Sequence, residues 1–191
     1  MRVLPDLGLL EGVEYLPSPN FDLRPNPQDI GLIVVHGISL PPNQFGGDEV
    51  AQLFTNQLDP AADPYFEKIK DLRVSAHLFI RRDGSIQQFV PFHLRAWHAG
   101  ASVYAGRENC NDFSIGIELE GTDHTLYTVS QYHALAAAIQ AIWQAYPQIP
   151  KTAIAGHSDI APVRKTDPGR YFIWPALERL LAQPLQRSYE L

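Results

Sequence analysis

Residues 113–121 read FSIGIELEG, and their alternation puts Phe113, Ile115, Ile117 and Leu119 on one face and Ser114, Gly116, Glu118 and Glu120 on the other. A period of two belongs to a strand. The apolar face calls for a core beneath it, and the opposite face holds two carboxylates in directions set by a rigid element. A second strand stands upstream. IGLIVVH, residues 30–36, is almost continuously apolar, as a central strand covered on both sides must be, and it closes on His36, which is expected to emerge where the strand ends.

Further elements follow from these two. VSAHLFI and SIQQFVPF flank RRDG, and Asp83-Gly84 predicts a hairpin over residues 74–92. Thr128 and Gln131 have the spacing of a capping box, and Tyr132, Leu135, Ala136, Ile139, Ile142 and Trp143 recur at helical spacing until Pro147, so a long helix should cover one face of the sheet. A short strand is expected in KTAIAGH, and a second helix in WPALERLLAQ, with Pro175 in its first turn and Leu177, Leu180 and Leu181 facing the core. DEVAQLFTN suggests a short helix with Asp48 near its start. PPNQFGG, residues 41–47, reads as a loop, and residues 58–72 as loop with helical turns. The first thirty residues, with Pro5, Pro17, Pro19, Pro25 and Pro27, read as an ordered but irregular lead-in. This order of elements predicts an α/β fold: a single domain with a central mixed β-sheet flanked by helices.

Composition narrows the function. A chain of 191 residues is long enough to bury about 70% of its unfolded surface in one core, so a single domain over 1–191 is expected. Fifteen basic against twenty-one acidic residues give a formal charge of −6 with no basic block, which argues against nucleic acid as a partner. Cys110 is the only cysteine, so an internal disulfide and a thiolate-rich metal site are both excluded. Pro5, Asp6 and Glu11 interrupt the N-terminal stretch before an apolar run of export length develops, and no window reaches the length of a membrane span. A cytoplasmic protein with no membrane partner is the expectation.

The densest chemistry lies in GHSDIAPVRKTDPG, residues 156–169, whose prolines and glycines argue against a regular helix. Taken singly, a strand-end histidine can cap or hydrogen-bond, and an aspartate before proline commonly opens a turn. Together, His36, His157 and Asp167 offer the two imidazoles and one carboxylate that a catalytic zinc site requires. His77, His93 and His98 compete, so the residues alone leave the triplet open. Glu118 is the better candidate base, because its strand fixes its direction, although alternation does not exclude Glu120. Lys165 could place a positive charge over an oxygen that becomes negative in the transition state, a contribution of about 3 kcal/mol. Cys110 lacks an activating neighbour in the sequence. Trp97, His98, Tyr104 and Arg107 could wall a site for a ligand with sugar and carboxylate groups.

VVHGISLPPNQFGG, LRVSAHLFIRRDG, RAWHAG, CNDFSIGIELEGTD and GHSDIAPVRKTDPG resemble, in order, successive blocks of the zinc N-acetylmuramoyl-L-alanine amidases, the family that also includes phage lysozyme-type amidases and peptidoglycan recognition proteins. The resemblance runs from about 17 to 174. It implies a peptidoglycan recognition protein-like fold, one Zn2+ per chain held by His36, His157 and Asp167, Glu118 as general base and Lys165 as transition-state stabiliser. The implied reaction is hydrolysis of the amide between the lactyl group of (1,6-anhydro)-N-acetylmuramic acid and L-alanine in cell-wall recycling fragments, and the implied partners are anhydromuramyl peptides, with no obligate protein partner. Loss of such an enzyme would derepress an inducible β-lactamase. Substrate contacts are expected from Arg73, Trp97, His98, Arg107 and Asn109, with Arg73 and Arg107 meeting carboxylates. Two positions depart from the family pattern: Gly37 stands where an asparagine follows the first ligand, and Asn109 where one relative has an arginine. Two other functions compete, a fragment-binding protein without catalysis and an amidase acting on polymeric wall.

Overall fold

The two strands read from the apolar runs lie side by side in the computed structural model of the chain, which describes residues 1–183. The lead-in supplies four two-residue strands, β1 (Val3–Leu4), β2 (Leu9–Leu10), β3 (Glu14–Tyr15) and β4 (Phe21–Asp22). β5 (Leu32–Ile38) precedes two short helices, α1 (Glu49–Phe54) and α2 (Pro64–Ile69). The hairpin is β6 (Leu78–Ile80) and β7 (Ile86–Gln88), antiparallel as Asp83-Gly84 predicts. Short strands β8 (Arg95–Ala96), β9 (Val103–Tyr104) and β10 (Arg107–Glu108) then lead to β11 (Ser114–Glu120). The chain continues through α3 (Val129–Ala145), β12 (Ile154–Gly156), the one-turn α4 (His157–Ile160) and α5 (Trp174–Leu181).

Six strands form the main sheet in the order β12, β5, β11, β6, β7, β3. The first four run parallel, β7 runs against β6, and β3 runs parallel to β7, so the sheet is mixed as expected. One face is apolar. Ile33, Val35, Leu78, Ile115, Ile117 and Leu119 are covered there by Leu135, Ile139 and Ile142 of α3 and Leu177 of α5. The capping box is present: the Thr128 hydroxyl accepts from the Gln131 amide at 3.1 Å, and Gln131 Oε1 accepts from the Thr128 amide at 3.0 Å.

Register decides the other face. Ser114 lies opposite Leu32, Gly116 opposite Val34, Glu118 opposite His36 and Glu120 opposite Ile38. Because residues paired between parallel strands project to the same side, the polar face of β11 and His36 share one surface. Three expectations need correction. Phe113 does not join Ile115 and Leu119; the strand begins at Ser114, and Phe113 packs with Leu32, Val34 and Ile160 on the opposite face because a 3-10 turn at Cys110–Asp112 precedes it. His36 is not the end of its strand, which continues to Ile38, and it is fully buried. The 156–169 stretch contains one helical turn, α4, since its prolines come only after Ile160. Residues 184–191 of the expected domain lie outside the described residues. Among the described residues, no helix is long and apolar enough to cross a membrane.

Candidate metal centre

Three chain segments converge at the carboxyl end of the parallel strands. β5 delivers His36 and β12 runs directly into α4, whose first residue is His157. The loop after α4 returns to the same place, where the Ser158 amide donates to the Asp167 carbonyl at 2.9 Å ahead of the cis Asp167–Pro168 peptide. Nδ1 of His36 lies 2.9 Å from Nδ1 of His157. Asp167 Oδ2 lies 3.3 Å from the first and 3.1 Å from the second. All three atoms fall within 4.8 Å of one another, and no second such cluster occurs among the described residues.

The donor set fits zinc. Bonds of about 2.0–2.1 Å to a tetrahedral ion separate neighbouring donor atoms by about 3.3 Å, close to the spacings here, and two imidazole nitrogens with one carboxylate oxygen leave a fourth position for a reactant. On the far side of His157, Nε2 lies 3.2 Å from the Ala99 carbonyl and 3.5 Å from Arg164 Nη2, which itself donates to that carbonyl. The nearer partner is the acceptor, which favours the ring proton on Nε2 and leaves Nδ1 to face a cation. Burial holds the His36 imidazole neutral, its pKa down to about 4. The competing histidines are placed elsewhere. His93 is exposed, His77 is buried beside Arg24, and His98 lies behind His36 with its Nδ1 2.9 Å from His36 Nε2. Cys110 is buried and its thiol is pushed up by that burial.

Glu118 stands next to the three donors, with Oε1 at 3.9 Å from His36 Nδ1. Its Oε2 is buried and has no hydrogen-bond partner. A buried carboxyl oxygen with nothing to bond is expensive unless a ligand completes it. Burial pushes the Glu118 carboxyl well above its ordinary range, the Asp167 charge pushes the same way, and the Lys165 ammonium opposes both. Glu120 has different work: its two oxygens accept from the Gly46 amide at 2.5 Å and the Arg82 amide at 3.0 Å, tying the 41–47 loop to the sheet.

A cleft of about 530 Å³ opens above these groups, and Glu118, His157, Lys165 and Asp167 form part of its lining. Arg73, Trp97 and His98 also line it, with Tyr65 and Ile69 of α2, the helical turns expected within residues 58–72, contributing a wall. The Trp97 indole nitrogen is buried and unpartnered, a donor for a ligand. Arg107 and Asn109 are not brought to the cleft. Arg107 pairs with Asp29 and stacks 3.8 Å over the Phe113 ring, while Asn109 lines a separate groove beside α4 and takes a left-handed φ of 57° that asparagine tolerates better than arginine. Three residues around the site escaped sequence reasoning: Ser114, Gly116 and Tyr127. The first two share the alternating face of Glu118, and that signal could have singled them out; Tyr127 lies in a connection without a period.

A model of the N-acetylmuramoyl-L-alanine amidase family matches residues 26–170. The 1,6-anhydro-N-acetylmuramyl-L-alanine amidase AmpD of Escherichia coli (strain K12) is 55% identical over 181 residues, covering 95% of this chain and 98% of that protein. A crystal structure of a Se-Met AmpD derivative is also 55% identical and superposes with a TM-score of 0.90 over 94% of this chain and 99% of the other. The structure of the E. coli amidase AmiD in complex with anhydro-N-acetylmuramic acid-L-Ala-D-gamma-Glu-L-Lys is 28% identical, with a TM-score of 0.59 over 80% of this chain and 57% of that one.

Proposed function

The chain belongs to the N-acetylmuramoyl-L-alanine amidase family, and from that premise we propose that it hydrolyses the amide between the lactyl group of 1,6-anhydro-N-acetylmuramic acid and L-alanine in soluble wall fragments. The observation that carries this reading is the His36, His157 and Asp167 donor set standing beside an unpartnered oxygen of Glu118. All these groups and Lys165 fall within the matched residues 26–170, so one domain carries the activity.

His36 Nδ1, His157 Nδ1 and Asp167 Oδ2 would hold a zinc ion. When bound, the ion supplies Lewis acidity toward a water molecule and toward the scissile carbonyl. Glu118 takes the proton of the attacking water on its free Oε2 and passes it to the departing amine nitrogen. Lys165, on the cleft wall, places its ammonium group near the oxygen that gains negative charge. Trp97 offers its indole N–H to the sugar or lactyl oxygens, and Arg73 at the rim offers a guanidinium to a peptide carboxylate. The size of the cleft suits a fragment of a few residues, which supports small anhydromuramyl peptides over intact wall and a cytoplasmic setting for their turnover.

Zinc-loaded protein incubated with an anhydromuramyl tripeptide should yield anhydromuramic acid and a peptide with a free L-alanine amine, both read by mass spectrometry, and should act more slowly on intact sacculi. Tight binding of the fragment without cleavage would instead make the chain a sensor, and faster action on sacculi would make it a wall amidase. Chelation should abolish turnover, and added zinc should restore it.

A further inference from the structure

His157 has its ring proton placed by a backbone carbonyl; His36 has no carbonyl behind it. Its Nε2 meets Nδ1 of His98 at 2.9 Å, and Nε2 of His98 meets the Ser114 hydroxyl at 3.1 Å. The Ser114 hydroxyl is in turn 2.5 Å from the Cys110 carbonyl. All of these side chains are buried.

The protons in this chain have one arrangement. A carbonyl oxygen only accepts, so the single hydroxyl proton of Ser114 points at Cys110. The hydroxyl oxygen must then accept from His98, which puts the proton of that neutral ring on Nε2 and leaves Nδ1 as an acceptor. The only donor facing His98 Nδ1 is His36 Nε2, so His36 carries its proton there and its Nδ1 is bare. We propose that His98 and Ser114 are positioning residues for the metal centre: they hold His36 in the tautomer that presents a free Nδ1 lone pair to the cation.

The β11 face is built for this relay. Ser114, Gly116 and Glu118 succeed one another on it, and Gly116 leaves the space that the His98 ring fills, since a Cβ there would overlap the ring. One strand face therefore lays out the anchor of the relay, the gap for its ring and the catalytic carboxylate. With both Nδ1 atoms bare beside an aspartate carboxylate, three acceptors face one another without a proton to share. A cation relieves that arrangement.

The inference rests on the metal centre assigned above, and two measurements separate the two ideas. A long-range proton–nitrogen spectrum of the zinc-free wild-type chain should show His36 protonated on Nε2 alone, and zinc should bind that chain one to one. Bound zinc with a proton on Nδ1 of zinc-free His36 overturns the relay alone; no bound zinc overturns the metal assignment and the positioning role with it. His98→Leu should weaken zinc about 10- to 100-fold in chelator competition. His98→Asn, which keeps an acceptor where Nδ1 stood, should remain within about threefold of wild type. Equal losses in both variants would reduce His98 to a packing role, and an unchanged His98→Leu affinity would remove it from the site. Should His98→Leu fail to fold, Ser114→Ala decides: without its acceptor the His98 proton should redistribute and His36 should show both tautomers, whereas a pure Nε2–H spectrum would overturn the role of Ser114.

Discussion

The Tyr127 hydroxyl donates a 2.9 Å hydrogen bond to the Pro168 carbonyl, one residue beyond Asp167. Two glycines make room for it, because a Cβ on Gly37 would overlap the hydroxyl and one on Gly121 would overlap the ring. The departure at Gly37 thus has a structural counterpart: the space beside the first ligand is occupied by a tyrosine from the connection before α3. Tyr127→Phe should cost about 1 kcal/mol of stability by stranding the buried Pro168 carbonyl. Gly37→Asn, by pressing the hydroxyl aside, should cost a similar amount, and the double variant should cost less than the sum of the two. Urea denaturation of the four proteins of this cycle checks it, and strict additivity would show that the two positions do not compete for one space.

Glu118→Gln keeps the shape of the side chain but removes its basicity. Zinc content should stay at one per chain while kcat falls by about 10²- to 10⁴-fold. Lys165→Ala should also keep its zinc and lose about 100-fold in kcat, the worth of one electrostatic donor to a developing oxyanion. Metal analysis beside steady-state kinetics reads both. Turnover near the wild-type rate in a zinc-loaded variant would remove that residue from the chemistry.

Arg73 and Arg107 should separate cleanly. Arg73 lines the cleft, so Arg73→Ala should raise KM about 10-fold or more on a peptide bearing a free carboxylate, with little change in kcat. Arg107 is held by Asp29 and Phe113 away from the cleft, so Arg107→Ala should leave both constants within about twofold. The reverse pattern would show that the substrate reaches the groove beside α4.

Stability should fall on mild acidification through His77. The Gly116 amide donates to its Nδ1 at 3.0 Å, its Nε2 lies 3.1 Å from the Leu94 carbonyl, the Arg24 guanidinium stands 3.2 Å from that same Nε2, and the His98 ring is 5.8 Å away. Burial, and after it the Arg24 charge, hold the His77 pKa down to about 3. The unfolded histidine titrates near about 6.5, so between these values the unfolded chain binds one more proton. The contribution is complete above about 6.5 and is lost as pH falls, by up to about 1.4 kcal/mol per pH unit. His77→Gln should flatten unfolding free energy against pH over this window, and an unchanged slope would show that other groups carry the acid sensitivity.

Local features of the chain were legible without coordinates. Alternation in 113–121 marked a strand with Glu118 opposite its apolar side, the apolar run at 30–36 marked its neighbour, and Thr128 with Gln131 marked the start of α3. These readings held because they depend on spacing within a single element. They failed at boundaries: Phe113 obeyed the alternation on paper, but the preceding 3-10 turn rotated it to the other side of the sheet. Within residues 58–72 helical turns were legible but the bounds of α2 were not, because six residues capped by Asp63 are too short to display a period.

By itself, the sequence determined the types of element and the chemical groups available: imidazoles, carboxylates, lysine ammonium groups and no usable thiolate. Only the tertiary structure decided which of those groups meet. His36 and His157 are 121 residues apart, and their Nδ1 atoms come within 2.9 Å because β12 and β11 flank β5 in parallel and these three strands deliver their carboxyl ends to the same rim. The same packing set His98 against His36 while keeping it on the cleft lining, and carried Arg107 away from the cleft. Periodicity is set by bonds along the chain, whereas convergence is set by register between strands, and that register is fixed by the burial of both faces of the sheet at once.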